Sequence, residues 1–298
     1  MRLLLTGASG FVAQAFLARH GAEHEVTILG RALPPNAGAA RLQPADLADP
    51  ASTAAALAAL EREPPFEAVL HLAVSRFHRE FPKTALDLFH VNVHAAALLL
   101  DFAWRTKADR VVTGSTGSVY DLPFGARARE GDVTPAKSYF AATKAAADSL
   151  VAQYRPLLPV AILRFFVPYG PGLQGRMLDG LADSIEAGRP LTIPQSKPPL
   201  TFSPIYADDA ADVIAAALQG RWSETVNVAT GEAIELDRAA AMIAERLGRE
   251  LRIERSDAAG SFFLVPDVTR LKALMPGRAF VSFEDGLARQ LDARGRPA

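Results

Sequence analysis

The sequence predicts an α/β fold in which helices cover both faces of a parallel sheet. Three observations support this prediction: short apolar runs alternate with helical stretches, a glycine turn joins the first strand to the first helix, and hydrophobic residues make up 49% of the 298-residue chain. Strands that alternate with helices are typical of parallel sheets with right-handed crossovers. A chain of this length allows one large α/β domain or two smaller ones.

The first thirteen residues, MRLLLTGASGFVA, predict the opening of a dinucleotide-binding unit. A strand at 2–5 and a helix at 11–20 flank a glycine turn, with the spacing G-x-x-G-x-x-A rather than G-x-G-x-x-G. Gly7 lets the chain turn tightly, and Gly10 lets backbone N–H groups approach a pyrophosphate at the positive end of the helix. The cofactor-binding candidates in this stretch are Gly7, Ser9, Gly10, Phe11 and Val12.

The end of the second strand, at 25–30, bears on the type of dinucleotide. An acidic residue there would hydrogen-bond the ribose 2′-hydroxyl of NAD, but this chain has Gly30 followed by Arg31. A guanidinium at that point can bind a 2′-phosphate or stack on adenine, which slightly favours NADP over NAD. The alternative is an arginine that is simply solvated.

The remaining elements continue the alternation and then loosen. Helices are predicted at 51–62, 82–106 and 138–154, a short third strand before Asp46, and further strands at 66–73, 110–114 and 160–166. Beyond residue 167, helices are predicted at 177–187, 208–219, 236–247 and 283–292, short strands at 225–228 and 251–254, and a proline-rich loop at 190–204. We therefore expect a Rossmann-type NAD(P)-binding domain at 1–167, with a doubly wound sheet, and a smaller α/β substrate lobe at 168–298. Residues 205–230 are expected to return to the Rossmann sheet.

Eight features occur in one order along nearly the whole chain: TGASGFVA at 6–13, HLA at 71–73, Asn92, STGSVYD at 115–121, Thr143-Lys144, RFFVPYGPG at 164–172, IYADDAAD at 205–212 and VNVATGE at 226–232. This order resembles the extended short-chain dehydrogenase/reductase superfamily, the NAD(P)-dependent sugar-nucleotide epimerases, dehydratases and reductases. The resemblance implies further cofactor contacts at Arg31, Asp46, Leu47, Leu72, Ala73, Asn92, Lys144 and Phe166.

The catalytic residues of that superfamily are matched only in part. Thr116 matches the Ser or Thr that contacts the reacting oxygen, and Lys144 matches the lysine that hydrogen-bonds the nicotinamide ribose. The catalytic tyrosine should stand four residues before the lysine, but that position is Phe140. Tyr139 is five residues away and points about 140° round a regular helix from Lys144.

Phe140 has no proton to exchange, so ordinary alcohol oxidation would lack its general base. A one-residue π-bulge between 139 and 144 would return Tyr139 to the face of Lys144, and such bulges occur at functional sites. Alternatively another group serves as acid or base, or the redox step is altered or lost. The other candidate groups are Tyr120, His78 and Ser118.

Two further departures concern the substrate. Val167 stands where the superfamily usually has an asparagine that contacts the substrate. Residues 200–204, LTFSP, replace the segment that often carries an arginine for the diphosphate. Both favour a smaller or more apolar substrate than a nucleoside-diphosphate sugar. Arg76, Arg79 and Arg176 are available for an anionic group, or are simply solvated.

Other polar residues are interpreted as structural. His71 is expected to pack beside the cofactor, and Asp208 and Asp209 to cap and orient a helix. His90 and His94 share a helix face at a spacing that can hold a metal, but no carboxylate partner accompanies them. No metal site is expected.

The sequence therefore predicts an atypical NAD(P)-dependent oxidoreductase of the epimerase/dehydratase type, acting on a hydroxyl or carbonyl of a sugar-like or small substrate. The alternative is a non-catalytic dinucleotide-binding sensor or scaffold. A net charge of −1 favours neither nucleic acid nor an anionic membrane as a partner, and there is no cysteine for disulfides or thiol chemistry.

The expected location is the cytoplasm. No uninterrupted apolar run approaches the ~18 residues of a membrane span, and the chain starts directly with a core strand, without room for a signal peptide. Many superfamily members dimerise through two helices that match 82–106 and 138–155 here, so a homodimer is expected.

Overall fold

The computed structural model describes residues 1–77, 80–132, 136–173, 175–197, 199–257 and 262–294. The chain divides into two compact units. Unit 1 consists of Met1–Asp121, Val133–Phe165 and Ala210–Val226, and unit 2 of Leu122–Asp132, Phe166–Asp209 and Asn227–Ala298.

The elements alternate as predicted over the first half of the chain. The strands are β1 (Arg2–Thr6), β2 (Glu25–Gly30), β3 (Arg41–Pro44), β4 (Ala68–His71), β5 (Arg110–Thr116), β6 (Val160–Phe165), β7 (Pro168–Tyr169), β8 (Leu191–Pro194), β9 (Thr201–Phe202), β10 (Ile205–Tyr206), β11 (Thr225–Val228), β12 (Ile234–Glu235), β13 (Ile253–Ser256) and β14 (Phe263–Leu264). The helices are α1 (Phe11–His20), α2 (Pro50–Leu60), α3 (Ala85–Phe89), α4 (Ala95–Arg105), α5 (Tyr139–Ala152), α6 (Met177–Glu186), α7 (Ala207–Gly220), α8 (Leu236–Leu247), α9 (Thr269–Leu274) and α10 (Phe283–Asp292). A π-helical turn, His90–His94, joins α3 to α4.

Seven strands form one sheet in the order β11-β6-β5-β4-β1-β2-β3, and the pairs from β3 to β6 are parallel. Residues 3–5 of β1 are completely buried, as expected for a central parallel strand covered on both faces. The order reverses beside β1, where β4 returns to its other edge. In such sheets ligands bind at this reversal, outside the carboxyl ends of the strands.

Helices cover both faces of this sheet. On one face a core cluster unites Leu4, Val69 and Val111 of three strands with side chains from α2, α4 and α5. Elsewhere in unit 1, Arg19 and His20 of α1 bind the carboxylate of Asp212 in α7, at 2.5 and 2.8 Å. The predicted α/β doubly wound fold is therefore confirmed.

The predicted domain boundary at 167 differs from the division by contacts. The loop at 122–132 belongs to unit 2, although it lies between two strands of the sheet. Residues 210–226 belong to unit 1, and β11 extends its sheet, so part of the 205–230 segment returns to the sheet. Contacts between segments distant in the sequence decide both points: Ala128 of the loop bridges to Pro266, and β11 lies beside β6 in the sheet.

The described residues of unit 2 form three small sheets, with strand orders β10-β7, β12-β9-β14 and β13-β8. An aromatic cluster of Tyr169, Phe202 and Phe283 lies in its core, with ring centroids 5.5 to 5.8 Å apart. A Cβ on Gly286 would fall on the Tyr169 hydroxyl, so glycine is required where α10 meets this ring. The buried Asp209, in the first turn of α7, accepts hydrogen bonds from Arg278 and from a backbone N–H.

The predicted proline-rich loop at 190–204 contains two short strands, β8 and β9. Neither segment has a strong strand pattern in the sequence. Each forms a strand because it pairs with a partner far along the chain. The strand β8 pairs with β13, and the two-residue β9 lies between β12 and β14. These strands and the short helix α9 were not predicted.

Among the described residues, one helical segment, Ala85–Arg105, is long and apolar enough by length and composition to cross a membrane. It has 21 residues, a mean hydropathy of 1.3, and half of its most apolar window is buried. Core helices of soluble proteins pass the same test, so the evidence for a span is weak. No such segment was expected from uninterrupted apolar runs, because this one includes Asn92 and Asp101.

Candidate cofactor and active site

The glycine turn after β1 is built for close approach. Gly7 has φ +74°, and a Cβ there would lie 2.6 Å from the Cα of Ala73 in the segment after β4. The β1–β4 register sets Thr6 opposite His71, which brings Leu72 and Ala73 beside the turn. Only glycine fits the left-handed backbone and the contact together.

The turn leads directly into the amino end of α1. The N–H of Gly10 donates to Gly7 O at 2.8 Å, and Gly10 serves as the N-cap without a side-chain hydrogen bond. The first amides of α1 are therefore available to an anion, as a pyrophosphate site requires. Ser9 is exposed beside them, whereas Phe11 and Val12 are half-buried.

The ends of β1, β2 and β3 align at one edge of the sheet. Thr6 pairs with Leu29, and the N–H of Ala45 donates to Gly30 O at 3.0 Å. The alignment brings the ends carrying Gly7, Arg31 and Asp46 to the same edge. Arg31 is exposed and makes no hydrogen bond or ion pair with any described residue.

The two residues after β3 serve partly as structure. The Asp46 carboxylate accepts the Ala48 N–H at 3.1 Å, and the backbone N–H of Asp46 donates to Ser52 Oγ. These two bonds fix the approach to α2. Leu47 packs against the core. Phe166 is almost fully buried, and its N–H donates to Val228 O at 3.0 Å.

Asn92 lies in the π-helical turn and is completely buried. Its Oδ1 accepts the N–H of Ser75 at 3.2 Å, and its Nδ2 donates to Thr143 Oγ1 at 3.0 Å. Asn92 therefore ties the exit of β4 to α5 and positions the helix that carries Lys144. The π-helical turn lies here at His90–His94, and α5 is α-helical over Tyr139–Ala152, so no π-bulge returns Tyr139 to the face of Lys144.

The start of α5 presents the departure from the superfamily pattern. Ser138 caps the helix by accepting the Ala141 N–H at 3.1 Å, so Tyr139 is its first residue. Phe140, four residues before Lys144, is on the face of the lysine because this spacing is about one helical turn. The Tyr139 ring stacks on Phe81, with centroids 4.8 Å apart and planes at 20°.

The end of β5 carries Thr116 and the carbonyl that Lys144 of α5 binds. Lys144 is 5% exposed, and its Nζ donates to Gly114 O at 2.6 Å. Burial lowers the pKa of its ammonium, against the opposing effect of Asp148. Thr116 accepts the Ser118 N–H at 3.1 Å and donates to Ser118 Oγ at 3.2 Å, which forms the short turn after the strand.

The alternative acid/base candidates have other contacts. Tyr120 accepts a hydrogen bond from Arg164 Nη1 at 2.6 Å, and the guanidinium also lies over its ring. The same arginine binds Asp148 of α5 at 2.9 Å, so Tyr120 belongs to a packing network. Ser118 is exposed. His78 and Arg79 lie outside the described residues.

The remaining candidate groups fall in different places. Arg76 lies over the ring of Phe77, and Arg176 precedes α6 in unit 2. The rings of His90 and His94 are in edge contact at 6.0 Å. In the part of the chain that the structure describes, no group of three or more His, Asp or Glu side chains could hold a metal ion.

A model of the NAD dependent epimerase/dehydratase family matches residues 3–229, more than half of the chain. The chain belongs to this family. A search of curated proteins found no match.

Solved structures of epimerases and dehydratases share the fold over nearly the full length. A UDP-glucose 4-epimerase from Thermus thermophilus, in complex with NAD, superposes with a TM-score of 0.85 at 24% identity over 100% of both chains. A dTDP-glucose 4,6-dehydratase from Streptomyces venezuelae with NAD bound gives 0.82 at 24% identity, over 98% of this chain and 96% of that one. A UDP-glucuronic acid 4-epimerase from Bacillus cereus, with UDP-glucuronic acid and NAD, gives 0.81 at 22% identity over 98% of each.

The glycine turn of this family member fits a dinucleotide, because a Cβ at Gly7 would fill the close approach to Ala73 and the amino end of α1 is uncapped by any side chain. The partners that fix the site were not predicted from the sequence. Ser75 and Thr143 hold Asn92, and Gly114 O binds Lys144. No motif marks them, because their role arises only when β4, β5 and α5 come together.

Proposed function

We propose that this chain is an NAD(P)-dependent enzyme of the epimerase/dehydratase type with altered acid/base machinery, acting on a hydroxyl or carbonyl of a sugar-like or small substrate. The observation that carries this proposal is the buried Lys144 of α5, whose Nζ binds Gly114 O of β5 in the unit that also holds the glycine turn after β1. When bound, the nicotinamide supplies and accepts hydride at its ring.

The chain's own residues take the following roles in this proposal. Backbone N–H groups after Gly7 and Gly10 bind the pyrophosphate, and the Lys144 ammonium binds the nicotinamide ribose hydroxyls. Thr116 Oγ1 hydrogen-bonds the reacting oxygen of the substrate. Burial of Lys144 excludes water from the ammonium, which strengthens its charge–dipole interactions in the site.

The acid/base step distinguishes this protein from its family pattern. Phe140 lies on the same face of the regular helix α5 as Lys144, so no phenol stands there to act as general acid or base. We propose Tyr139 as the replacement acid/base. Without a π-bulge it lies about 140° round α5 from Lys144, so it would act from the first turn of the helix without sharing the lysine's face. The exposed Phe81 ring, stacked on Tyr139, would hold that side chain in one orientation.

A second candidate function is supported by the same phenylalanine. With no phenol on the lysine's face, the protein would bind a dinucleotide without turnover and act as a sensor or scaffold. Substituting Phe140→Tyr separates the two: a gain of oxidoreductase activity supports an enzyme with a missing base, and binding without any gain supports the sensor.

We propose NADP as the preferred dinucleotide. Arg31 is exposed after the end of β2, no acidic residue stands there to bind a 2′-hydroxyl, and its guanidinium is not paired with any described residue. The neighbours with NAD bound support a dinucleotide site in general and do not bear on this preference.

The substrate is proposed to be smaller or more apolar than a nucleoside-diphosphate sugar. Val167 replaces the asparagine of the superfamily pattern, and the segment at 200–204 lacks the arginine that often binds the diphosphate. A homodimer in the cytoplasm is also proposed. Large apolar side chains are exposed on α3 and α5, and burial against a second copy would stabilise them: Leu86 (71% exposed), Phe89 (42%) and Leu150 (43%).

The first experiment is to purify the protein without added nucleotide, denature it and identify released dinucleotide by mass spectrometry. Retained NAD in its oxidised form would support an enzyme that recycles its cofactor and would contradict the NADP preference. Protein that is empty but binds NADPH reversibly would support a reductase. Protein that neither carries nor binds either dinucleotide would overturn the proposal.

A further inference from the structure

A row of polar side chains crosses the sheet beneath α5. The strand registers set Thr6, His71 and Thr113 side by side on β1, β4 and β5. Two residues earlier, Leu4 and Val69 belong to the core cluster shared with α4 and α5. Side chains two apart in a strand lie on one face, so the polar row faces the same helices.

His71, at the centre of this row, is only half satisfied. It is 2% exposed, and its Nδ1 lies 2.7 Å from Thr6 Oγ1. Its Nε2 is buried and has no hydrogen-bond partner among the described residues. A buried polar atom without a partner lowers stability, and native proteins rarely retain one without a role.

Lys144 supplies the matching donors. An ammonium has three N–H groups, and among the described residues one of them has an acceptor, Gly114 O. Lys144 Nζ is bound to Gly114 O, and Gly114 directly follows Thr113, the residue of β5 that pairs with His71. Burial, with a smaller effect of the lysine's charge, lowers the pKa of His71 to about 3. The imidazole is therefore neutral at physiological pH and has one bare nitrogen.

The proton position follows from these charges. A neutral imidazole carries its proton on one nitrogen, and the other is an acceptor. A proton on Nε2 would face the Lys144 cation without an acceptor, whereas a proton on Nδ1 can be donated to Thr6 Oγ1. Electrostatics therefore favours the Nδ1–H form.

We propose that His71 is a positioning residue for Lys144, which donates Nδ1–H to Thr6 and offers its bare Nε2 to the Lys144 ammonium. The ammonium then has two fixed protein acceptors, Gly114 O and His71 Nε2, and keeps its third N–H for a ligand hydroxyl. The choice of ligand rests on the proposed function, but the His71–Lys144 contact does not.

Other charged groups that the structure describes lie on the elements packed against this pair. On α5, Asp148 lies one turn after Lys144 and partly opposes the lowering of the ammonium's pKa by burial, while Arg164 of β6 is bound to that carboxylate. Asp87 lies beyond Ser75, to which it is hydrogen-bonded. The uncharged Ser115, on the same face of β5 as Thr113, has an unpartnered Oγ and offers a control.

The first test uses the dinucleotide-free protein with ¹⁵N-labelled histidine, compared by NMR at neutral pH with Lys144→Met. We expect the Nδ1–H form of His71 in the native protein and a clear change of its Nε2 resonance in the variant. A native His71 protonated on Nε2, or an Nε2 resonance that does not respond to Lys144→Met, would overturn the proposal.

The second test measures the binding of NAD⁺ and NADP⁺ against pH for His71→Phe, His71→Gln and Ser115→Ala. Losing an acceptor makes the ammonium easier to deprotonate, so in His71→Phe the alkaline loss of binding should move about one pH unit lower, a tenfold weaker affinity on that limb. His71→Gln keeps an acceptor and should resemble the native protein, as should Ser115→Ala. If His71→Phe lowers thermal stability alone and leaves the alkaline limb unmoved, His71 is merely structural. If the native protein binds neither dinucleotide, the proposed function fails, and the NMR comparison still decides the role of His71.

Discussion

The turn after β1 and the first turn of α5 lie in the same unit but depend on different parts of the chain. The turn at Gly7 acts through its backbone: a left-handed glycine, a close approach to Ala73 and uncapped N–H groups. The start of α5 would act through one phenol, and its family position holds Phe140. Cofactor binding can thus be retained while proton transfer changes, because many backbone groups share the first task and a single side chain performs the second.

The largest effect is expected from a substitution in the glycine turn, where binding depends on the backbone. In Gly7→Ala the new Cβ would strike the backbone of Ala73, with an overpacking cost of about 1–3 kcal/mol, and the positive φ adds about 1–2 kcal/mol. We expect dinucleotide binding to weaken more than tenfold and the urea midpoint to fall. Gly38→Ala is the control, since Gly38 also has a positive φ but has open space around its Cβ. Equal losses in the two variants would contradict the close-approach argument.

The next effect concerns how the free energy of unfolding depends on pH through His71, in the row of polar side chains on β1, β4 and β5. Burial, with a smaller effect of Lys144, lowers the pKa of His71 to about 3 from an ordinary value near 6.5. Below pH 6.5 the His71 side chain is protonated in the unfolded chain, whereas in the folded protein it stays neutral down to about pH 3. The free energy of unfolding therefore falls as the pH falls through this range. At pH 5 the loss is about 2 kcal/mol relative to pH 7.

Urea unfolding at pH 7 and pH 5 checks this, with His71→Gln as the matched variant. The glutamine cannot titrate, so the part of the pH dependence that comes from position 71 should vanish. A native protein and a His71→Gln variant with the same pH dependence would contradict the low pKa of His71.

A phenol restored at position 140 tests whether proton transfer depends on this one side chain. General acid–base catalysis contributes roughly 10²–10⁴-fold, and part of this should return in Phe140→Tyr, with an expected gain of at least about tenfold in oxidoreductase turnover on a suitable alcohol. Spectrophotometric assay of dinucleotide reduction measures it. Tyr139→Phe is the companion variant: it should reduce native activity if Tyr139 is the acid/base. A Phe140→Tyr protein with no gain would count against a missing base as the defect.

The smallest expected effect tests the adenosine end. Arg31→Glu should weaken NADP⁺ binding about tenfold and leave NAD⁺ binding nearly unchanged, because only NADP⁺ carries the 2′-phosphate. Arg249→Glu, the same charge change on an exposed arginine of unit 2, is the control in fluorescence titrations. Equal losses for both dinucleotides would show that Arg31 does not read the phosphate.

The sequence by itself determined the doubly wound sheet, the glycine turn and the position of Lys144 relative to Phe140, because these depend on local spacing: period-2 and period-3.6 patterns and residues four apart in a helix. Only the tertiary structure decided that the loop at 122–132 belongs with unit 2, that two-residue strands lie in the proline-rich segment, and that the π-turn is at Asn92 rather than in α5. It also decided the hydrogen-bond partners of two site residues: Gly114 O accepts from the Lys144 ammonium, and the N–H of Ser75 donates to Asn92 Oδ1. Those contacts join strands and helices that are far apart in the chain, so no local pattern encodes them.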